Sequence, residues 1–263
     1  MSLLKNMLLA AGGGSAHWAA RLTGASDDSA LAVAPLAGGF IGVAGYTYGS
    51  SNDAFIARYA ADGTLMWQHR LYASNDDRFL GLAGDAAGNL YAIGHTYGTD
   101  KDTLIAKYNS AGTLQWQRLL STSAQDLGWA AAVGASGNVY LAGSSVISAV
   151  YYATLAKYNS SGTLQWQRQY VSGAGYPGSA GVGCDSSENV YVCVGDGTYT
   201  SLLKYNSSGA LQWQRRLTSG ATATSSRALA VDTSNNIFVA AGSRNTYDSA
   251  VLLKYNSSGT LQW

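Results

Sequence analysis

Short runs of alternating apolar and polar residues recur from one end of the chain to the other, and no stretch shows the three-to-four spacing of a helix. Alternation with a period of two marks strands that bury one face. Leu104–Tyr108 and 113–118 (TLQWQR) form one such pair around Asn109–Gly112. Asn and Ser bond their own backbone and Gly accepts a positive φ, so this tetrapeptide predicts a hairpin with a bulge. On its second strand Leu114, Trp116 and Arg118 share one face, and Gln115 and Gln117 the other. A second hairpin stands midway between such pairs, with Asp85–Asn89 as turn and Leu90–Gly94 as return strand. Each period therefore predicts four short strands, the two hairpins being joined in each direction by irregular links of roughly ten residues.

The period itself is the strongest signal. Trp18, Trp67, Trp116, Trp166, Trp213 and Trp263 are separated by 49, 49, 50, 47 and 50 residues. The text around them repeats almost verbatim, as KYNSAGTLQWQR from Lys107, KYNSSGTLQWQR from Lys157 and KYNSSGALQWQR from Lys204. A worn first copy, RYAADGTLMWQH, starts at Arg58. The middle block recurs as GDAAGNLYAIG, VGASGNVYLAG, CDSSENVYVCV and VDTSNNIFVAA.

Five such repeats without helix predict an all-β chain: a five-bladed β-propeller of four-stranded antiparallel blades. One blade cannot bury both faces of its sheet, so the six periodic Trp are read as structural core between blades. Tyr59, Tyr108, Tyr158, Tyr205 and Tyr255 are read likewise. Lys107, Lys157, Lys204 and Lys254, with Arg58, are expected on a solvated edge. Trp18 holds the same place in the period as Trp263, and 17–22 (HWAARL) matches an outer strand, so the termini are expected to meet in the last blade. The propeller spans 17–263, with blades near 17–67, 68–116, 117–166, 167–213 and 214–263. Residues 1–16 form a docking arm, hinged at Gly12–Gly14.

Composition narrows the function. The chain has 263 residues, 47% hydrophobic and 12% charged, with a formal net charge of +1. That charge disfavours nucleic acid as a partner, and no apolar run is long enough to span a bilayer. Cys184 and Cys193 flank a turn as diagonal neighbours, poor geometry for a disulfide, and are read as free thiols. His17, His69 and His95 have no metal-ligand spacing, and His95 is taken to begin a loop. No nucleophile elbow, phosphate loop or zinc helix is present, so no catalytic residue, cofactor or metal is assigned and the chain is expected not to be an enzyme. The paired carboxylates Asp27–Asp28 and Asp76–Asp77 are read as solvated turns, with a cation site or a hydrolase as the competing readings. The NSS triplets match a glycosylation acceptor but are a repeated turn first.

The repeats also separate constant from variable positions. The tight turns barely change, whereas the links between second and third strands differ in every repeat: YTYGSSND, HTYGTDKD, SSVISAVYYA, GDGTYT and SRNTYDS. Rich in Tyr, Ser, Gly and Asn, they have the composition of antibody paratopes. Tyr46, Tyr48, Tyr97, Tyr151, Tyr152, Tyr199 and Tyr247 are the candidate contact residues. Asp76, Asp77 and Arg78 join them from the other links, as does Trp129, which stands outside the periodic set. Such a face suits carbohydrate or a protein surface.

The units NSSGTLQWQR and DSSENVYV resemble the bacterial SBBP β-propeller repeat over residues 17–263. The resemblance implies the fold and is nearly silent on function. Pro35, Glu188 and Asn235 depart from its pattern as turn variations. The Gly-x-Leu-x-Trp unit is also similar to the Trp-docking motif of quinoprotein dehydrogenases, which have eight repeats. The opening MSLLKNMLLAAGGG resembles that of small bacteriophage virion proteins, particularly tail components. That resemblance implies a non-enzymatic virion protein in a symmetric assembly, bound to other virion proteins through residues 1–16 and contacting a host glycan or protein. The alternative is a lectin-like propeller of a bacterial surface or secreted protein.

Overall fold

The computed structural model describes residues 5–7, 19–21, 28–71, 76–122, 124–171, 179–195, 200–217, 224–244 and 248–263. Trp18, Tyr199, Tyr247, Asp27 and His17 lie outside the described residues, as does most of the expected arm. Near the start, β1 (Lys5–Met7) pairs antiparallel with β2 (Ala19–Arg21).

Five antiparallel sheets follow. The first holds β3 (Ser29–Pro35), β4 (Ile41–Tyr48), β5 (Asn52–Tyr59) and β6 (Leu65–Leu71). The second holds β7 (Arg78–Gly84), β8 (Leu90–Tyr97), β9 (Lys101–Tyr108) and β10 (Leu114–Leu120). The third is β11 (Asp126–Val133), β12 (Val139–Ile147), β13 (Val150–Tyr158) and β14 (Leu164–Val171). The fourth is β15 (Ser179–Cys184), β16 (Val190–Gly195), β17 (Thr200–Tyr205) and β18 (Leu211–Leu217). The fifth comprises β19 (Thr224–Val231), β20 (Ile237–Arg244) and β21 (Asp248–Tyr255). Its fourth-strand residues come from the C-terminal end: Tyr255 bridges Leu261, and Lys254 exchanges backbone hydrogen bonds with Gln262 and Trp263. The described partner of β2 is β1, not the last sheet.

The chain divides into two compact units, Met1–Leu119 and Leu120–Trp263. In the first, Ile56, Phe79, Leu82, Leu90 and Leu104 pack the facing surfaces of the first two sheets, with Trp67 against them. In the second, Tyr140, Leu155, Val190, Val192 and Leu203 form one core, and Tyr191, Leu202, Leu217, Ile237 and Val239 another. The largest fully buried side chains are Tyr91, Tyr140 and Tyr191. Trp116 is buried, Trp67, Trp166 and Trp213 are half-buried, and Trp263 is 56% exposed.

Each sheet is anchored at the end that carries the tight turns. In Asn109–Thr113 the Asn side-chain oxygen accepts from the amides of Ala111 (3.1 Å) and Thr113 (2.8 Å), and the Gly112 amide donates to the Asn109 carbonyl. A neighbouring sheet then grips this turn. Trp67 Nε1 and the Arg58 guanidinium both donate to the Ser110 carbonyl, at 3.0 and 2.6 Å. Trp166 and Lys157 do the same to Ser207, at 3.1 Å each, and Trp213 and Lys204 to Ser257, at 3.4 and 2.9 Å. Arg168 and Arg215 bond the Gly209 and Gly259 carbonyls. Gly209 is doubly required there: its φ is 79°, and a Cβ would lie 2.8 Å from the Trp166 ring. The solvated edge expected for the repeated cations is therefore corrected. Arg58 and Lys157 are buried, because each lies against an aromatic ring (Phe40, Tyr140) and donates to a turn carbonyl.

The middle turns carry a second repeated circuit. Asp85 Oδ2 accepts from Asn89 Nδ2 and the Tyr91 hydroxyl, and Asp185 does the same for Asn189 and Tyr191. The third sheet has Gly134 in place of that Asp. Glu188, reaching from the next repeat, fills the gap. It accepts from the Ser136 amide (3.0 Å), Asn138 Nδ2 (2.7 Å) and the Tyr140 hydroxyl (3.1 Å), with Lys157 Nζ at 3.5 Å. Burial alone would raise the Glu188 pKa, but the Asn138, Ser136 and Tyr140 hydrogen bonds outweigh it and hold it at about 2. Glu188 takes the left-handed turn position (φ 58°) that is glycine at Gly88 and Gly137. Asn235 (φ 61°) sits likewise and accepts from Ser186.

Candidate functional site

The ends of the sheets opposite the tight turns are where the repeats differ. In the first three sheets the long links expected between second and third strands are corrected to tight hairpins: only Gly49–Ser51, Gly98–Asp100 and Ser148–Ala149 lie outside the strands there, while 196–199 and 245–247 of the other two links lie outside the described residues. Tyr and Thr favour the pleated surface, so the strands run on through residues that composition suggested were loop. Tyr46 and Tyr48 therefore lie in β4, Tyr97 in β8, and Tyr151 and Tyr152 in β13. Tyr48 is 42% exposed and the other four are half-buried.

In the first unit these tyrosines border a polar cluster on Asp76. Asn52 Nδ2 donates to Asp76 Oδ1 at 2.6 Å and Arg78 Nε at 2.8 Å. Lys101 Nζ stands 3.4 Å and His95 Nε2 3.7 Å from Oδ2. The Arg78 guanidinium covers the Tyr46 ring at 4.6 Å, which ties an aromatic edge to the charges. The backbone joins in, since Asp77 N donates to the Asn52 carbonyl. Burial works to raise the Asp76 pKa, yet the Asn52 and Arg78 hydrogen bonds and the Arg78 and Lys101 charges bring it down to about 2. Burial, reinforced by Lys101 and Arg78, pushes His95 down to about 4 against the pull of Asp76. The ring is thus neutral near pH 7. Asp53 is raised, first by burial and further by the nearby Asp77, with Arg70 opposing.

Two expectations are corrected here. Asp76 and Asp77 are not solvated turns: Asp76 is held by Asn52, Arg78 and Lys101, and Asp77 is fully buried. His95 does not begin a loop. It lies inside β8, 4% exposed, opposite Arg78. Asn52 and Lys101 were not singled out from sequence, and His95 was not connected to Asp76. Register supplies the missing signal, because a strand that continues past Gly94 brings His95 and Lys101 to the same end as Arg78.

The second unit offers a different surface. Trp129 occupies a bulge between Gly128 and Ala130, half-buried, and its Nε1 donates to Ser144 Oγ at 3.0 Å. Ser145 and Thr154 hydroxyls bond each other at 2.9 Å, and Thr122 N donates to the buried Asp126 at 2.6 Å. Ser148 and Ala149 both have positive φ, as a two-residue hairpin turn with the twist of its strands requires. Cys184 and Cys193 are free, and burial raises both thiol pKa values, that of Cys184 to about 12. Among the described residues no group of three or more His, Cys, Asp or Glu is placed to hold a metal ion. No described helix is long and apolar enough to cross a membrane.

Comparison with known proteins supports the architecture. A β-propeller domain of unknown function (DUF5122) matches residues 40–65. A crystal structure of a protein of unknown function from Dyadobacter fermentans is similar at 12% identity, covering 89% of this chain and 80% of that one, with a TM-score of 0.60. A protein from Lactobacillus plantarum is similar at 14% identity, covering 94% and 73%, with a TM-score of 0.55. No curated protein matches. The chain is a β-propeller repeat protein. The expectation that it is not an enzyme is corrected. A gluconolactonase from Xanthomonas campestris stands among the similar structures, at 13% identity, 80% and 71% coverage and a TM-score of 0.48. A fold by itself neither assigns nor excludes catalysis.

Proposed function

We propose that this chain is an interaction module, a ring of five blades whose variable ends contact a glycan or a protein surface. One observation carries the reading: the repeats share one hydrogen-bonded circuit at their tight-turn ends and have unlike side chains at the opposite ends. There Tyr48 projects to solvent, and Arg78, held by Asp76, covers the Tyr46 ring. Rigid aromatic edges beside fixed polar groups suit neutral polar ligands at low ordering cost. Tyr46, Tyr48, Tyr97, Tyr151, Tyr152 and Trp129 are the proposed contacts, with Arg78.

Ring closure belongs to the same proposal. Among the described residues the last sheet has 261–263 as a fourth strand, and 19–22 (AARL) continue the repeat from Trp18 as 214–217 (QRRL) continue it from Trp213. A closed ring of this length has a radius of gyration of about 18 Å in solution scattering, and separated units give a larger value. A place in a bacteriophage particle is the setting proposed with it, and mass spectrometry of purified particles detects the chain or refutes that setting. For the contact face, a glycan array with wild type and with Tyr48→Ala combined with Tyr97→Ala gives the test. Binding lost in the variant supports the reading. Equal binding by both proteins, or no binding by wild type to glycans or to surface-protein extracts, overturns it.

A further inference from the structure

The first sheet departs from the others at one place on its tight-turn end. By strand register, Gly42 stands opposite Arg58, where Tyr91, Tyr140 and Tyr191 stand opposite Lys107, Lys157 and Lys204. In the preceding turn, the Leu36 amide donates to the Phe40 carbonyl as Asp85 does to Asn89, so Leu and Phe replace the repeated Asp and Asn. On the outer strand Met66 replaces the Gln found at 115, 165, 212 and 262. Four polar or tyrosyl positions have thus changed together, and two of them, Phe40 and Met66, line one pocket with Arg58 and Trp67.

The packing shows what the exchange does. Leu90 fills the space beside Gly42, where a Cβ would lie 2.5 Å from its Cδ2. Phe40 takes the place under the cation, 4.2 Å from Arg58 Cζ. Outside these two, a pocket of about 400 Å³ remains, lined by Phe40, Arg58, Met66, Trp67, Ser110 and Ala111. Met66 is 53% exposed at its edge. Arg58 is 8% exposed; one terminal nitrogen donates to the Ser110 carbonyl and reaches that of Gly88 at 3.5 Å, and the Nε, itself buried, has no hydrogen-bond partner.

We infer that this pocket binds a small aromatic acid, its ring against the Met66 thioether and the Trp67 and Phe40 rings and its carboxylate on Arg58. A thioether and two aromatic rings favour an aromatic guest, and an arginine favours a planar anion. A sugar needs several directional polar partners, and the pocket offers only the guanidinium and Ser110. This site lies at the opposite end of the sheet from the proposed contact face and does not depend on it.

The chain has three methionines, Met1, Met7 and Met66, so methyl-labelled protein gives a readable signal from the pocket. Titration with 4-hydroxyphenylacetate is expected to shift the Met66 methyl resonance to saturation. The uncharged 4-hydroxybenzyl alcohol is expected to bind about tenfold more weakly, the worth of one charge-assisted contact. Arg58→Gln, which removes the cation, should abolish that tenfold preference while the methyl still shifts. A methyl unmoved by either aromatic probe, or moved equally by cyclohexylacetate or methyl glucoside, overturns the proposal. Equal binding of the acid and the alcohol overturns the assignment to an acid.

Discussion

The two ends of the sheets obey different rules. At the tight-turn end, Trp indoles and Lys or Arg cations fall on one kind of acceptor, the carbonyl of the second turn residue, at Ser110, Ser207 and Ser257. At the other end, Asp76 gathers Asn52, Arg78 and Lys101 in one unit, while Trp129 bonds Ser144 in the other. The difference teaches where the constraint on sequence lies. Side chains that satisfy a neighbour's backbone must recur, since each unmet buried donor or acceptor costs about 1–3 kcal/mol. At the opposite end the partners differ from sheet to sheet, Asn52 with Asp76 in one place and Trp129 with Ser144 in another, so no one residue type has to recur there.

That contrast can be broken by substitution. The largest effect is expected at Trp166, which packs on Tyr140 and Tyr205 and donates to Ser207. Trp166→Ala should cost about 3 kcal/mol in denaturant unfolding. Trp263→Ala, at an exposed place, should cost under about 1 kcal/mol.

Between pH 6.5 and 4.5 acid should act chiefly at the variable end, before Glu188 at the other end begins to protonate. His95 has a pKa of about 4 when folded against 6.5 in the unfolded chain, so the unfolded state binds the proton first. Stability is then complete above pH 6.5 and falls as the pH drops toward 4, by about 3 kcal/mol in total for this group. His95→Ser, the residue found at Ser144 in the third sheet, should flatten that part of the pH profile.

A smaller pair of effects separates two cations. Lys157→Met leaves Glu188 and the Ser207 carbonyl without their ammonium partner and should cost about 2 kcal/mol. Lys101→Met removes a more exposed partner of Asp76, which keeps Asn52 and Arg78, and should cost under about 0.5 kcal/mol. Equal losses would mean that the two ends are not distinguished by their backbone contacts.

Much of the fold could be read from local signals. Asn109–Gly112 and Asp85–Asn89 announce their turns because the residues that close them are adjacent in sequence. The burial of Lys157 was less legible, since a lysine's place depends on what lies across the sheet, and only the register opposite Tyr140 gives it away. The tyrosines of the variable ends were misplaced into loops because Tyr, Ser and Gly mark both paratopes and strand ends. Glu188 is the instructive case. A turn that lacks its Asp at Gly134 and a next turn that lacks its Gly at 188 are both visible in the sequence. That one repairs the other follows only once the two repeats are stacked.

The grip of one repeat on its neighbour's turn is tested most directly by a mutant cycle on that pair, followed by denaturant unfolding. Glu188→Gly removes the borrowed carboxylate, and Gly134→Asp puts a side chain where a Cβ would lie 2.8 Å from Glu188 Oε1. Each alone should lose about 2 kcal/mol, whereas the double variant, which restores the arrangement of Asp85 and Gly88, should return to near the wild-type value. Losses that simply add in the double variant would contradict the account.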